Sequence, residues 1–327
     1  RASSRGTMFD ARRVLQESRL VPALFVLTSG CASIPPSVSE LPDAAQTVEL
    51  AATPFYAQER YQCGPAALTT VLVASGAEVT LDEIVHKVYL PGRQGSLQFD
   101  LLAAARTEGR LPYTVDGTLE AIWQELEAGR PVLVLQNLGV AAIPRWHYAV
   151  VVGIDAERGQ VILRSGTDER RITPTGAFLH TWRRGGYWGM VVLEPGEMPA
   201  AVDRSRYFET VTALEEAGRA EEAAAAWQAA LRQWPGDSVA LFGLANAYLS
   251  LQDYAAAETA YRDLLEQNRT LLAARNNLAL TLAGQGKYDA AMAEIGVALS
   301  ANPDPLLEQE LRNTEATIRR RVANGEP

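Results

Sequence analysis

One stretch poses a chemical question. In "QERYQCGPAAL" (residues 58–68) a cysteine stands directly before Gly-Pro and the start of an apolar run. A structural cysteine normally lies inside a hydrophobic segment, whereas Cys63 has polar neighbours and faces the mouth of a helix. Proline suits the first helical turn, where its missing N–H would have no partner, so Pro65 marks that turn. Cys63 is therefore expected at the positive end of the helix dipole, its sulfur facing unpaired amides. That setting stabilises a thiolate, and the same amides can hold an oxyanion. Gly64 lets a substrate backbone pass close by.

A thiol nucleophile needs a base, and the chain has three histidines. His86 lies mid-helix in "DEIVHKVY" and reads as a surface or packing residue. His180 follows "GAFL" in an amphipathic segment and reads as packing. His147 opens a strand in "PRWHYAVVVGID", after a loop holding Pro144, so its side chain can point into a cleft while the residues behind it anchor a sheet. Cys63 and His147 together imply nucleophilic catalysis. One cysteine and three scattered histidines supply no zinc pattern, and no cofactor is expected.

Four helices and four strands must position this pair. "CGPAALTTVLVASG" reads as a helix ending at Gly76. "TLDEIVHKVY" has Thr80 and Glu83 at capping-box spacing. "SLQFDLLAAARTEG" takes Ser96 as its cap, and "TLEAIWQELEAG" takes Thr118. The pattern then changes. "PVLVLQNL", "HYAVVVGID", "QVILRSG" and "YWGMVVLEP" are rich in Val, Ile and aromatics and are separated by Gly, Asp and Pro, as strands are. Helices followed by a clustered antiparallel sheet make an α+β domain, expected over residues 48–196. Trp146, Trp182, Tyr187 and Trp188 are either its core or the lining of a peptide cleft.

After a linker at 197–203 the composition shifts to Ala, Leu, Glu and Tyr. Trp227, Tyr261 and Ile295 are each 34 residues from the next, as are Ala223, Ala257 and Ala291. Pro235, Arg269 and Pro303 keep the same step. This pattern resembles the tetratricopeptide (TPR) repeat, three units of which are expected over 204–303, with a capping helix and tail at 304–327. The resemblance implies an all-α solenoid that binds a protein partner or a substrate segment.

The start of the chain reads differently. Arg12 and Arg13 precede the short apolar run "LVPALFVL" and then "TSGC", which resembles a bacterial lipoprotein signal over residues 1–31 with Cys31 as the lipidated residue. Met8 is the more natural start, and residues 32–47 are a Pro- and Ser-rich tether. The net charge of −9 argues against a nucleic-acid partner. With Cys31 lipidated, Cys63 is left without a disulfide partner.

Taken together, "QERYQCGPAAL" and, 84 residues after its cysteine, "HYAVVVGID" resemble the papain-like bacteriocin-processing cysteine peptidases, which remove leaders after a double-glycine motif. The resemblance covers about residues 53–194. It implies that Gln58 completes the oxyanion hole, Cys63 attacks and His147 is the base. Gln58 sits one residue nearer the cysteine than the family pattern has it, and Gln62 replaces the acid often found there. The family's third member, an aspartate followed by proline, is missing. Alignment on the apolar pattern puts Ser165 in its place. Counting cross-strand pairs from a hairpin turning at "AERG" puts Asp168 opposite His147, and that count favours Asp168. Asp155 closes the far end of the strand. A neutral orienter suffices, since its task is to fix the imidazole tautomer.

The expected protein is thus a cysteine peptidase of the bacterial cell envelope. It is lipid-anchored at the outer membrane, faces the periplasm and acts on peptide or protein substrates. The sequence has no "GxxxxGK[ST]" phosphate loop, so it is not expected to be an exporter, and leader processing is not implied. Two alternatives share these residues: a peptide clamp on a degenerate peptidase fold, and an acyltransferase or amidase using the same Cys–His chemistry.

Overall fold

The structure, a computed structural model, describes residues 46–57 and 62–324. The lipoprotein-type signal with Cys31, most of the tether, and Gln58 lie outside the described residues. The chain divides into two compact units, one reaching to Ala213 and one beginning at Leu214.

The first unit is a mixed α and β layer structure. Helix α1 (Cys63–Ala74) begins at the cysteine itself, with Pro65 in its opening turn and Gly76 in a left-handed conformation just past its end. The capping box of α2 (Leu81–Val88) forms: Glu83 accepts from the Thr80 amide at 2.8 Å while its own amide donates to Thr80 Oγ1. Helix α3 (Gln98–Thr107) departs from expectation at its start. Leu97 occupies the cap position with no side-chain bond, because Ser96 is drawn aside and its carbonyl accepts the Tyr148 hydroxyl. Thr118 caps α4 (Leu119–Glu127) by accepting from the Ala121 amide.

All four expected strands are present: β3 (Val132–Asn137), β4 (Trp146–Asp155), β5 (Gln160–Ser165) and β7 (Gly189–Leu193). Three others had no sequence signal strong enough to read. Two of them, β1 (Thr47–Glu49) and β2 (Leu111–Thr114), are only three and four residues long. The third, β6 (Asp168–Pro174), reads "DERRITP" and is almost wholly exposed, as a charged edge strand should be. Helix α5 (Thr175–Arg184) joins β6 to β7. The sheet is antiparallel throughout in the order β2-β7-β3-β4-β5-β6, with β1 paired to the far end of β4.

Strand alternation sorts the sheet's side chains by face. Leu133, Leu135, Tyr148, Val150 and Val152 join Leu68, Val71 and Leu72 of α1, Ile84 of α2 and Leu101 of α3 in one core. Helices α4 and α5 pack against the other strand positions. Burying this many aliphatic groups, each contributing about 1.5–3 kcal/mol, makes α1 and β4 rigid parts, and these two elements carry Cys63 and His147.

The second unit is helical: the latter part of α6 (Arg204–Glu216), then α7 (Ala220–Gln233), α8 (Ser238–Ser250), α9 (Tyr254–Gln267), α10 (Leu272–Gly284), α11 (Tyr288–Ser300) and α12 (Pro305–Asn324). Trp227, Tyr261 and Ile295, one repeat apart, are all buried, and so are Ala223, Ala257 and Ala291.

Candidate active site

Cys63 lies where α1 begins, against the start of β4. The backbone amides of Tyr148, Gly64 and Cys63 itself act on its sulfur and favour the ionised form. The expectation that this helix end faces the sulfur with free amides is met. The expectation of a resting thiolate is not. Burial pushes the thiol above its ordinary value, and the three amides oppose that shift without reversing it.

Two neighbours hold this corner. The Tyr148 hydroxyl donates to the Ser96 carbonyl at 3.2 Å, and its ring meets Trp188 edge-on with centroids 6.1 Å apart. Ser96 in turn covers Gly64. A Cβ on Gly64 would come within 2.6 Å of Ser96 Oγ, so only glycine fits after the cysteine. Neither Tyr148 nor Ser96 was legible as part of the site, because their contacts join residues 52 positions apart and follow no local motif. Arg164 was missed as well. Its buried guanidinium donates to the carbonyls of Thr53, Ala51 and Glu169, tying the segment before the cysteine to β5.

His147 pairs across β3 with Gln136, which is itself anchored by donating to Thr181 of α5 at 2.7 Å. His147 Nε2 lies 2.8 Å from Ser165 Oγ. With the proton on Nε2, the imidazole donates to Ser165 and keeps a basic lone pair on Nδ1. Burial, assisted by the guanidiniums of Arg171 and Arg145, lowers the imidazole to about 4. At neutral pH it is uncharged.

The structure corrects the strand count that placed Asp168 opposite His147. The hairpin does turn at residues 156–159, and Asp155 pairs with Gln160. Beyond it, however, a bulge between Val151 and Gly153 inserts one extra residue into β4, so that Val151 faces Leu163 and Val150 faces Arg164. In that register Ser165 falls beside Ala149, diagonal to His147 on the same face. The chain then turns, and Asp168 opens β6 across from Ser165, half-exposed, with Arg171 as its ion-pair partner at 3.8 Å. Gly153 borders the bulge and lies against β1, where a Cβ would come 2.7 Å from the Val48 carbonyl. The glycine in "VVVGID" was the available signal, since an isolated strand glycine marks a bulge or a close backbone approach.

The other candidates separate clearly. His86 is exposed beside Asp82 of its own helix. His180 is also exposed, 3.5 Å from Arg183, rather than packed. Asp155 holds Arg158 at the far end of β4. Trp182 is core, stacked on Phe178 with Tyr187 edge-on to it, and Trp188 packs partly against the core. Only Trp146, 57% exposed, stands free at the site. Among the described residues no group of His, Cys, Asp and Glu could hold a metal ion, and no helix is long and apolar enough to cross a membrane.

Comparison with known proteins agrees with this division. Residues 50–190 match the Peptidase_C39 like family, and residues 208–271 and 242–304 match the tetratricopeptide repeat. The chain thus carries a C39-like peptidase domain followed by TPR repeats. Similar solved structures include a putative C39-like peptidase from Bacillus anthracis, 15% identical with a TM-score of 0.40, covering 46% of this chain and 98% of that one. A double glycine motif protease from an AMS/PCAT transporter, solved with its leader peptide, is 19% identical with a TM-score of 0.32, over 45% and 91% of the two chains. The first TPR domain of human RPAP3 is 17% identical with a TM-score of 0.31, over 36% and 95%. No curated protein matches the chain significantly.

Proposed function

We propose that this protein is a cysteine peptidase in which Cys63 attacks the peptide carbonyl, His147 is the base and Ser165 positions the imidazole. The observation that carries this reading is the 2.8 Å contact of His147 Nε2 with Ser165 Oγ, made next to the residue whose amide meets the Cys63 sulfur. Because burial raises the thiol and lowers the imidazole, the resting pair is neutral. Nδ1 takes the thiol proton as sulfur attacks, rather than in advance. The amides at the head of α1, with Gln58, hold the oxyanion that forms. The imidazolium then gives its proton to the leaving amine, and water activated by the same ring frees the acyl-enzyme.

Leu97 and Phe99 follow Ser96 on one flank of the corner, and Val140, Ile143 and Trp146 precede or adjoin His147 on the other. All five are exposed, Phe99 to 80%. Apolar rims of this kind favour peptides carrying aliphatic or aromatic residues near the scissile bond. The TPR repeats take a protein partner or a more distant part of the substrate. Cys31 carries the lipid that holds the protein on a periplasm-facing envelope membrane; Cys31→Ser should move it from the membrane to the soluble fraction.

The test is incubation of the full chain with a pool of proteome-derived peptides, reading new termini by mass spectrometry. Wild type should generate them and Cys63→Ala should not. A wild type that binds peptides but leaves the pool uncut would make the domain a clamp.

A further inference from the structure

The protein is acidic overall, at −9, yet the charged side chains that act on the catalytic imidazole are two arginines, Arg145 and Arg171. They come from different elements. Arg145 lies two residues before His147 in an extended run, its amide donating to Asn137 Oδ1 and its carbonyl accepting the Leu138 amide. That two-residue spacing puts it on the His147 side of the strand. Arg171 is opposite Leu163, which is two residues from Ser165, so β4, β5 and β6 present His147, Ser165 and Arg171 on one face. Both guanidiniums are exposed. Arg171 has only the loose 3.8 Å contact with Asp168, and among the described residues no carboxylate pairs with Arg145. Two incompletely neutralised cations beside a base lower its basicity, so the base alone gives no reason for them.

We propose that Arg145 and Arg171 form an acidic-residue subsite, binding an aspartate or glutamate side chain, or a terminal carboxylate, of the substrate segment on the leaving side of the scissile bond. This rests on the peptidase reading above. The side follows from the chemistry: the imidazole hands its proton to the departing amine, so groups gathered around the imidazole border the segment that departs. A guanidinium binds a carboxylate through two parallel N–H bonds, which gives geometry as well as charge. Filling the subsite also sets a negative charge among the cations around the ring. An acidic residue there should therefore assist the proton transfer as well as binding.

The experiment compares two alkylating reagents of nearly the same size on the full chain, neutral iodoacetamide and anionic iodoacetate, each reacting at Cys63. The iodoacetate-to-iodoacetamide rate ratio should exceed that of free cysteine. It should fall about five-fold or more in the Arg145→Ala, Arg171→Ala double variant, as expected for losing two positive charges that act on the imidazole of the same site. The iodoacetamide rate reports that the fold and thiol are intact. In the peptide pool, wild type should cut preferentially one or two residues before Asp or Glu, and the double variant should lose that preference while still cutting other peptides. An unchanged ratio in the double variant, or cleavage indifferent to acidic residues, would overturn the subsite and leave the peptidase standing. Failure of both reagents to reach Cys63 would overturn both.

Discussion

The two units place their important residues by different rules. In the helical unit a side chain's place follows from the repeat itself: Trp227, Tyr261 and Ile295 are all buried, each sitting at the same point of a helix pair. Substituting one leaves the phase of the others intact. In the sheet unit the partner of His147 depends on every residue between it and the hairpin turn. One extra residue at Val151–Gly153 takes Asp168 out of register with His147, and Ser165, diagonal to it, makes the contact instead. Repeats tolerate local error, whereas a site built on strand register does not.

The sharpest break of this comparison is at the corner itself. In the peptide-pool assay Cys63→Ala should abolish cleavage, and His147→Ala should lower it by about a thousand-fold or more. No single substitution in α7–α12 should do the same. A repeat substitution with an effect that large would show that the helical unit takes part in the chemistry.

The register can be tested next. Ser165→Ala should reduce cleavage about ten-fold or more by freeing the imidazole to rotate, while Asp168→Ala, at an exposed edge, should stay within about two-fold. The reverse order would show that β5 pairs with β4 without the bulge.

The smallest effect belongs to the helical unit. A side chain at Gly243 of α8 would collide with the Trp227 indole. Gly243→Val should therefore cost about 1–3 kcal/mol of stability, read as a lower urea midpoint by tryptophan fluorescence. The Cys63 alkylation rate should be unchanged. A changed rate would join two behaviours that the comparison keeps apart.

The same contrast explains what could be read in advance. The 34-residue period announced the helical unit because the same packing is written three times over. The caps at Thr80 and Thr118 were legible because a cap is a local motif, while Ser96 misled because a tyrosine 52 residues away claims its carbonyl. Cys63 and His147 stood out by residue type at an element's start. Their supports did not. Tyr148 contributes an amide and Arg164 grips carbonyls, and neither kind of contact depends on a recognisable motif. Arg145 and Arg171 become neighbours of His147 only once β4, β5 and β6 are aligned.

In the proposed mechanism Cys63 waits as a neutral thiol and His147 as a neutral imidazole, and the decisive measurement is the rate of Cys63 alkylation by iodoacetamide against pH. Thiolate alone reacts, so the rate should follow a single ionisation lying above the ordinary cysteine value of about 8.5. It should show no plateau at neutral pH. A flat, fast rate from about pH 4 to 8 would mean a stored thiolate–imidazolium pair and would contradict the account.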